Sequence, residues 1–235
     1  MLVYDDVRKR YGERIVLDGC SFAVDRGECV ALLGSSGAGK TTLFRLAYGA
    51  FAPDGGRVLV DGIDLRGLRA AALRRVRSRI AVIFQSHDLV DELTVAANVI
   101  AGTFGRRSTV DALRAVLRPN AAERRAVQDA LERVGLADRG SDRAFDLSGG
   151  QRQRVAVARA IAQRAELVLA DEPAASLDPA LAAEIVALLL ADARERGAAL
   201  VCTLHQPELT RGFDRVVVVE NGRIAQPSVP SRVTA

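Results

Sequence analysis

Leu32-Leu33-Gly34-Ser35-Ser36-Gly37-Ala38-Gly39-Lys40-Thr41-Thr42 begins at the end of an apolar run and ends inside a helical one. The part from Gly34 to Thr41 matches G-x-x-x-x-G-K-[ST]. Upstream, Cys29 to Leu33 reads as a strand, and downstream Lys40 to about Tyr48 reads as a helix. Glycines in such a loop let the backbone curl until its N–H groups surround a phosphate, and the helix start adds its positive end. Lys40 is then placed to reach β- and γ-phosphates, the Thr41 hydroxyl to hold Mg²⁺, and Thr42 to steady the α- or β-phosphate. The loop alone specifies a nucleotide, and the absence of an N-K-x-D guanine-reading tetrad favours ATP.

Further along, Leu167-Val168-Leu169-Ala170-Asp171-Glu172 is an apolar strand ending in two carboxylates. Parallel strands deliver their last side chains to the edge where ligands bind. Asp171 is thereby placed in the magnesium shell, and Glu172 is placed to orient and deprotonate an attacking water. One carboxylate for the metal and one for water favours phosphoryl transfer to water over transfer to a second substrate. Taken alone, an acidic pair at a strand end is as often structural as functional; the phosphate loop is what raises its weight.

Around these two motifs the chain alternates strands and helices. Leu2 to Arg8, Ile15 to Val24 and Val58 to Val60 read as strands with glycine turns, and Ile80 to Phe84, Ala199 to Thr203 and Val216 to Val219 supply more. A helix from about Pro179 to Arg196 stops at Gly197. The pattern predicts an α/β fold with a mostly parallel core sheet and an N-terminal antiparallel β portion. Between about 88 and 164 the period turns helical, clearest over Ala121 to Val134, so a helical subdomain is inserted into the sheet domain. Residues 1–226 read as one domain and 227–235 as a short flexible tail.

Inside the helical stretch lies Leu147-Ser148-Gly149-Gly150-Gln151, followed by the helical run Arg152 to Ala160. The pentad resembles the signature of ATP-binding cassette (ABC) proteins, and it begins 24 residues before Asp171. Read as residues, Ser148 is a helix cap and the Gly149 and Gly150 amides form a second anion-binding surface. The resemblance implies a P-loop NTPase cassette in which Ser148, Gly149, Gly150 and Gln151 contact the γ-phosphate held by another copy, so that hydrolysis requires two chains. It further implies that Tyr11 stacks on adenine and that Gln85 senses magnesium and the attacking water. In Ser176-Leu177-Asp178, Asp178 links the two sites across the dimer, and His205 is the switch histidine that bonds the γ-phosphate. Each of these residues by itself has a blander reading, packing for a tyrosine and surface or core for a glutamine or histidine. Their order and number carry the resemblance, which spans roughly Leu2 to Ala225.

Within the family, Ile83 to Val90, Leu131 to Arg139, Leu169 to Ser176 and Leu204-His205-Gln206 resemble importer cassettes, those of phosphonate importers above all. Ser108 to Pro119 lacks the aromatics frequent there, and Thr41 stands for the more frequent serine with its hydroxyl kept. The function so implied is ATP hydrolysis energising an importer of phosphonate or a related small oxyanion. The alternatives are a lipoprotein-release or efflux system, and a soluble cassette acting in DNA repair or translation. Partners expected on the first reading are a second copy, a transmembrane permease dimer docked around Gln85 to Asp91, and an extracytoplasmic substrate-binding protein.

Bulk properties agree. Hydrophobic residues make up 49% of 235, ample for a core, while no apolar run approaches the ~20 residues needed to cross a bilayer. The expected place is therefore the cytoplasmic face of a membrane, held by a partner. A net charge of +4 suits nucleic acid, anionic lipid or simply solubility, with solubility favoured and no nucleic-acid partner expected. Cys20, Cys29 and Cys202 have no metal-ligand spacing and read as reduced core residues.

Overall fold

The computed structural model describes residues 1–86, 88–175 and 177–225. His87, Ser176 and the tail expected at 227–235 lie outside the described residues. Strands β1 (Leu2–Tyr11) and β2 (Arg14–Val24) form a hairpin in which Gly12, at φ +60, supplies the left-handed turn residue and Tyr11 faces Arg14. After β3 (Cys29–Leu33) and α1 (Lys40–Ala47), β4 (Gly55–Val60) returns to pair with β1 and is extended by β5 (Ile63–Asp64). The result is an antiparallel sheet in the order β2-β1-β4-β5.

The second sheet takes β3 as its centre. Helix α2 (Ala70–Arg77) leads to β6 (Ile80–Ile83). Helices α3 (Val95–Ala101), α4 (Thr109–Leu117), α5 (Ala121–Arg133) and α6 (Gly149–Gln163) then precede β7 (Leu167–Ala170). Helix α7 (Pro179–Arg196), β8 (Ala199–Leu204), β9 (Arg215–Glu220) and β10 (Arg223–Ala225) complete the order. The sheet runs β10-β9-β3-β8-β7-β6, parallel throughout except for β10 at its edge.

Successive side chains of a strand leave opposite faces, and here both faces are covered. Cys29 and Ala31, Val168 and Ala170, and Leu200 and Cys202 join the cluster shared with α3, α5, α6 and α7. Val30 and Leu32, Leu167 and Leu169, and Ala199 and Val201 join the cluster shared with α1 and the antiparallel sheet. This double burial is why these strands are continuous apolar runs without alternation.

Local signals set the helix ends. Asn120 accepts the Glu123 N–H at 2.9 Å while Glu123 accepts the Asn120 N–H at 2.7 Å, a reciprocal cap that starts α5. Asp178 caps α7 with Pro179 at its first position, and Gly197 at φ +63 ends it. At the base of the sheets Arg79 grips Glu166 with two hydrogen bonds, 2.8 and 2.7 Å, and also pairs with Asp61 in the β4–β5 turn. Arg26 joins both carboxylates. Arg79 foremost holds the Glu166 carboxyl down to about 2.

The sheets and the helical stretch follow the sequence reading, with shifted edges. β1 continues to Tyr11 because its hairpin partner β2 reaches back to Arg14, and β8 runs to Leu204, so His205 follows the strand directly. Helix α2 and strands β5 and β10 were not anticipated. α2 is a single arginine-rich segment with one buried residue, Val76, and β5 and β10 hold two and three residues.

Candidate active site

Register alone brings the catalytic candidates together. Leu33 lies beside Leu204 and Ala170 beside Cys202, so the loop after β3, the acidic pair after β7 and the end of β8 share one sheet edge. Ile83 pairs with Ala170, which adds Gln85 from beyond β6. The loop itself depends on close packing. A side chain at Gly34 would meet the Val219 carbonyl at 2.4 Å, and one at Gly39, whose φ is +109, would meet Leu17 at 2.7 Å and the Val16 carbonyl at 3.0 Å. Only glycine lets β9 and β2 press against the loop in this way.

Lys40 is 4% exposed, and its ammonium donates to the carbonyls of Gly34 (2.8 Å) and Ser35 (3.1 Å). Burial pushes its pKa down, against the pull of Glu172 and Asp171. Asp171 is buried and linked to two hydroxyls: Thr203 donates to its Oδ1 at 3.0 Å and Thr41 at 3.4 Å. Burial raises the Asp171 pKa, and the two hydroxyls oppose the rise. The Thr203 hydroxyl also accepts the Glu172 N–H at 2.7 Å, fixing a residue held at φ +51. A left-handed glutamate is costly for an L-residue, so the contact is structurally significant. The Glu172 carboxylate Oε1 lies 2.5 Å from His205 Nε2.

A cleft lined by Tyr11, Ser36, Gly37, Lys40, Thr41, Thr42, Gln85, Glu172 and His205, together with Arg14 and Val16 of β2, holds most of the candidates. Ser148, Gly149, Gly150, Gln151 and Asp178 do not line it. Ser148 instead caps α6, accepting the Gln151 N–H at 3.4 Å while Gln151 accepts the Ser148 N–H at 2.9 Å. Asp178 accepts from Ala180 and Leu181 at the start of α7.

The donor set suits a magnesium nucleotide. Thr41 and Asp171 are hard oxygen donors, too few to cage a cation by themselves, as Mg²⁺ prefers when it keeps waters and takes phosphate oxygens. Among the described residues no group of three His, Cys, Asp or Glu stands ready to hold a resident ion. Buried Lys40 and the glycine-rich loop form a positive surface suited to phosphates.

Thr203 was missed from sequence. The available signal was a hydroxyl residue inside the apolar run Ala199 to Leu204, fully buried here. Arg14 was missed too, because its place in the cleft depends on the hairpin register.

A family model for the ABC transporter matches residues 17–175. The phosphonates import ATP-binding protein PhnC of Frankia casuarinae is 46% identical over 222 residues, 94% of this chain and 87% of that protein. Its counterpart from Rhodopseudomonas palustris strain BisB5 is 40% identical over 236 residues, 100% of this chain and 86% of its own length. Among solved structures, the dimeric post-hydrolysis state of the ATP-binding cassette MJ0796 bound to ADP and Pi superposes with a TM-score of 0.86 at 28% identity. It covers 97% of this chain and 98% of that one. A nucleotide-free cassette from an ABC transporter gives a TM-score of 0.81 at 26% identity, covering 97% and 90%.

Proposed function

The chain belongs to the ABC transporter family, as an ATP-hydrolysing subunit that energises transport, and from that premise we propose that the transport is import of a phosphonate or a related small oxyanion. The observation that carries this reading is the 46% identity with a phosphonates import ATP-binding protein along 94% of the chain. We read residues 1–226 as one ATPase domain with the helical subdomain at about 88–164.

In this reading the amides of Gly34 to Thr41 and the Lys40 ammonium hold the β- and γ-phosphates, and Tyr11 and Thr42 fix the rest of the nucleotide. Thr41, Asp171 and Gln85 would hold Mg²⁺, which when bound would set its positive charge against the phosphate oxygens. Glu172 accepts a proton from the attacking water. Its Oε1 is already paired with His205, which leaves Oε2 for the water and orients the carboxylate. His205 in turn bonds the γ-phosphate.

Ser148 and the amides of Gly149 and Gly150, with Gln151, complete the site of a second copy, and Asp178 crosses between the two. The dimer of the MJ0796 cassette with ADP and Pi supports that assembly. A permease dimer docks near Gln85 and the helical lobe at the cytoplasmic face of the membrane, with an extracytoplasmic binding protein delivering substrate. Among the described residues no helix is long and apolar enough to cross a membrane.

Affinity capture of the tagged chain from gently solubilised native membranes, followed by mass spectrometry, tests the reading. Recovery of an importer-type permease with a phosphonate-binding protein supports it. Recovery of an efflux permease overturns the substrate and direction while leaving the ATPase chemistry in place.

A further inference from the structure

Arg14 shares with Tyr11 and Val16 the hairpin wall that faces the nucleotide cleft. It sits directly opposite Tyr11 in the β1–β2 register, so the two side chains share a face of the antiparallel sheet. Val16, the extra residue where the register with β1 shifts, also lines the cleft, so all three border it with Lys40 and Thr41. The strand cannot drift from the phosphate loop, because Val16 and Leu17 are packed against Gly39 at distances that exclude a side chain there. Arg14 Nη2 then lies 3.8 Å from where a Cβ on Gly37 would stand, over the middle of the loop.

Among the described residues Arg14 has no hydrogen-bond or ion-pair partner. Most of the described arginines bind a carboxylate or a carbonyl, as Arg8 and Arg57 do in the same sheet and Arg223 does from β10. A guanidinium presents five donors in a planar fork suited to phosphate oxygens. A solvated surface arginine would account for the exposure, but not for a guanidinium poised over the loop and facing the same cleft as Lys40.

We propose that Arg14 is a polyphosphate-binding residue of this cassette, a second cation on the open side of the cleft that grips the phosphate chain of ATP opposite Lys40. The inference rests on the ATP-binding reading of the loop. It assigns Arg14 to the phosphates and leaves the adenine to Tyr11.

The test is isothermal titration of the full chain with ATP, ADP and AMP, and steady-state ATPase kinetics, for the parent, Arg14→Ala, Arg14→Lys and Lys40→Ala. Arg14→Ala is expected to weaken ATP and ADP by about tenfold, the lower end for a charged hydrogen-bonding partner because the site is solvent-accessible. AMP should change far less, KM for ATP should rise with kcat held, and Arg14→Lys should recover part of the loss. The salt dependence of ATP binding should also flatten in Arg14→Ala. Equal affinity of Arg14→Ala and parent for ATP, while Lys40→Ala loses binding, overturns the role of Arg14 and leaves the nucleotide site standing. An equal loss for AMP and ATP overturns it as well, by moving Arg14 to the adenine side. Failure of the parent itself to bind ATP overturns the underlying site.

Discussion

Thr203 joins the two acidic residues of the candidate site through one oxygen, donating to the Asp171 carboxylate and accepting the Glu172 backbone N–H. Thr203→Val keeps the shape and removes both contacts. It should lower stability by about 1–3 kcal/mol, since a buried acceptor and a buried N–H each lose a partner. Turnover should fall at least tenfold, because the left-handed Glu172 is no longer pinned; Thr203→Ser should restore most of both. Thermal melts and ATPase rates read the two effects. Glu172→Gln should depress turnover by about a hundredfold or more while ATP still binds, and should accumulate an ATP-bound dimer on size exclusion. Unchanged hydrolysis would remove the proton-accepting role. At this scale the sequence was most legible where a motif carries its own spacing, as from Gly34 to Thr41 and at Asp171-Glu172. Thr203 and Arg14 belong to no motif. Their roles come from which residue stands beside which across a sheet, and that register is set by the packing of the whole strand set.

Among the elements, α5 shows how a cap can carry more than a helix. Glu123 closes the capping box at Asn120 and also binds Arg107 and Arg114, which ties α4, α5 and the turn between α3 and α4 together. Arg114 foremost holds the Glu123 carboxyl down to about 2, below its value of about 4.3 in an unfolded chain. A depressed acid pKa contributes stability that is complete above the unfolded value and is lost as pH falls through the folded one. Glu123→Gln should therefore be less stable than the parent by about 2 kcal/mol at neutral pH. The gap should narrow as pH drops from about 4.3 towards about 2, and urea titrations across that range check it. A gap independent of pH would assign the loss to packing. Asn120 directly before the periodic run from Ala121 is a cap legible in sequence; the two arginines are not, because they come from turns and helices without a fixed offset to Glu123. Helix α2 escaped for a different reason, since eight arginine-rich residues offer too little apolar period to read.

On the scale of the whole molecule, the signature segment stands apart from its own cleft. Its Ser148 is occupied with capping α6, and its neighbours in the pentad do not touch the cleft that holds Lys40. A single chain therefore presents a capped helix start outside its own cleft, where the proposed contact with a second copy's phosphate would form. Ser148→Arg should leave ATP affinity within about twofold of the parent and should abolish ATP-dependent dimerisation in a Glu172→Gln background, since a bulky cation would meet the opposing loop. Light scattering with and without ATP decides this, and retained dimerisation would reject a site shared between copies. The division into two sheets and a helical lobe was legible from period and punctuation. The crossing of strands that places β8 between β3 and β7 was not, because neighbours in that sheet are distant in sequence.

The double covering of β3, β7 and β8 also has a consequence in time. Amides in strands buried on both faces open to solvent only when the whole domain unfolds, whereas exposed turns exchange through local openings. The Asp171 N–H is still bonded to the Ile83 carbonyl at 2.8 Å, so the last protected rung of the ladder is the amide of the residue proposed as a metal ligand. In hydrogen–deuterium exchange, the peptide ending at Asp171 should label last, and the hairpin at Gly12 and Glu13 among the first. The wall proposed to hold the metal would then keep its place through the minutes in which the rim of the cleft has opened and closed many times.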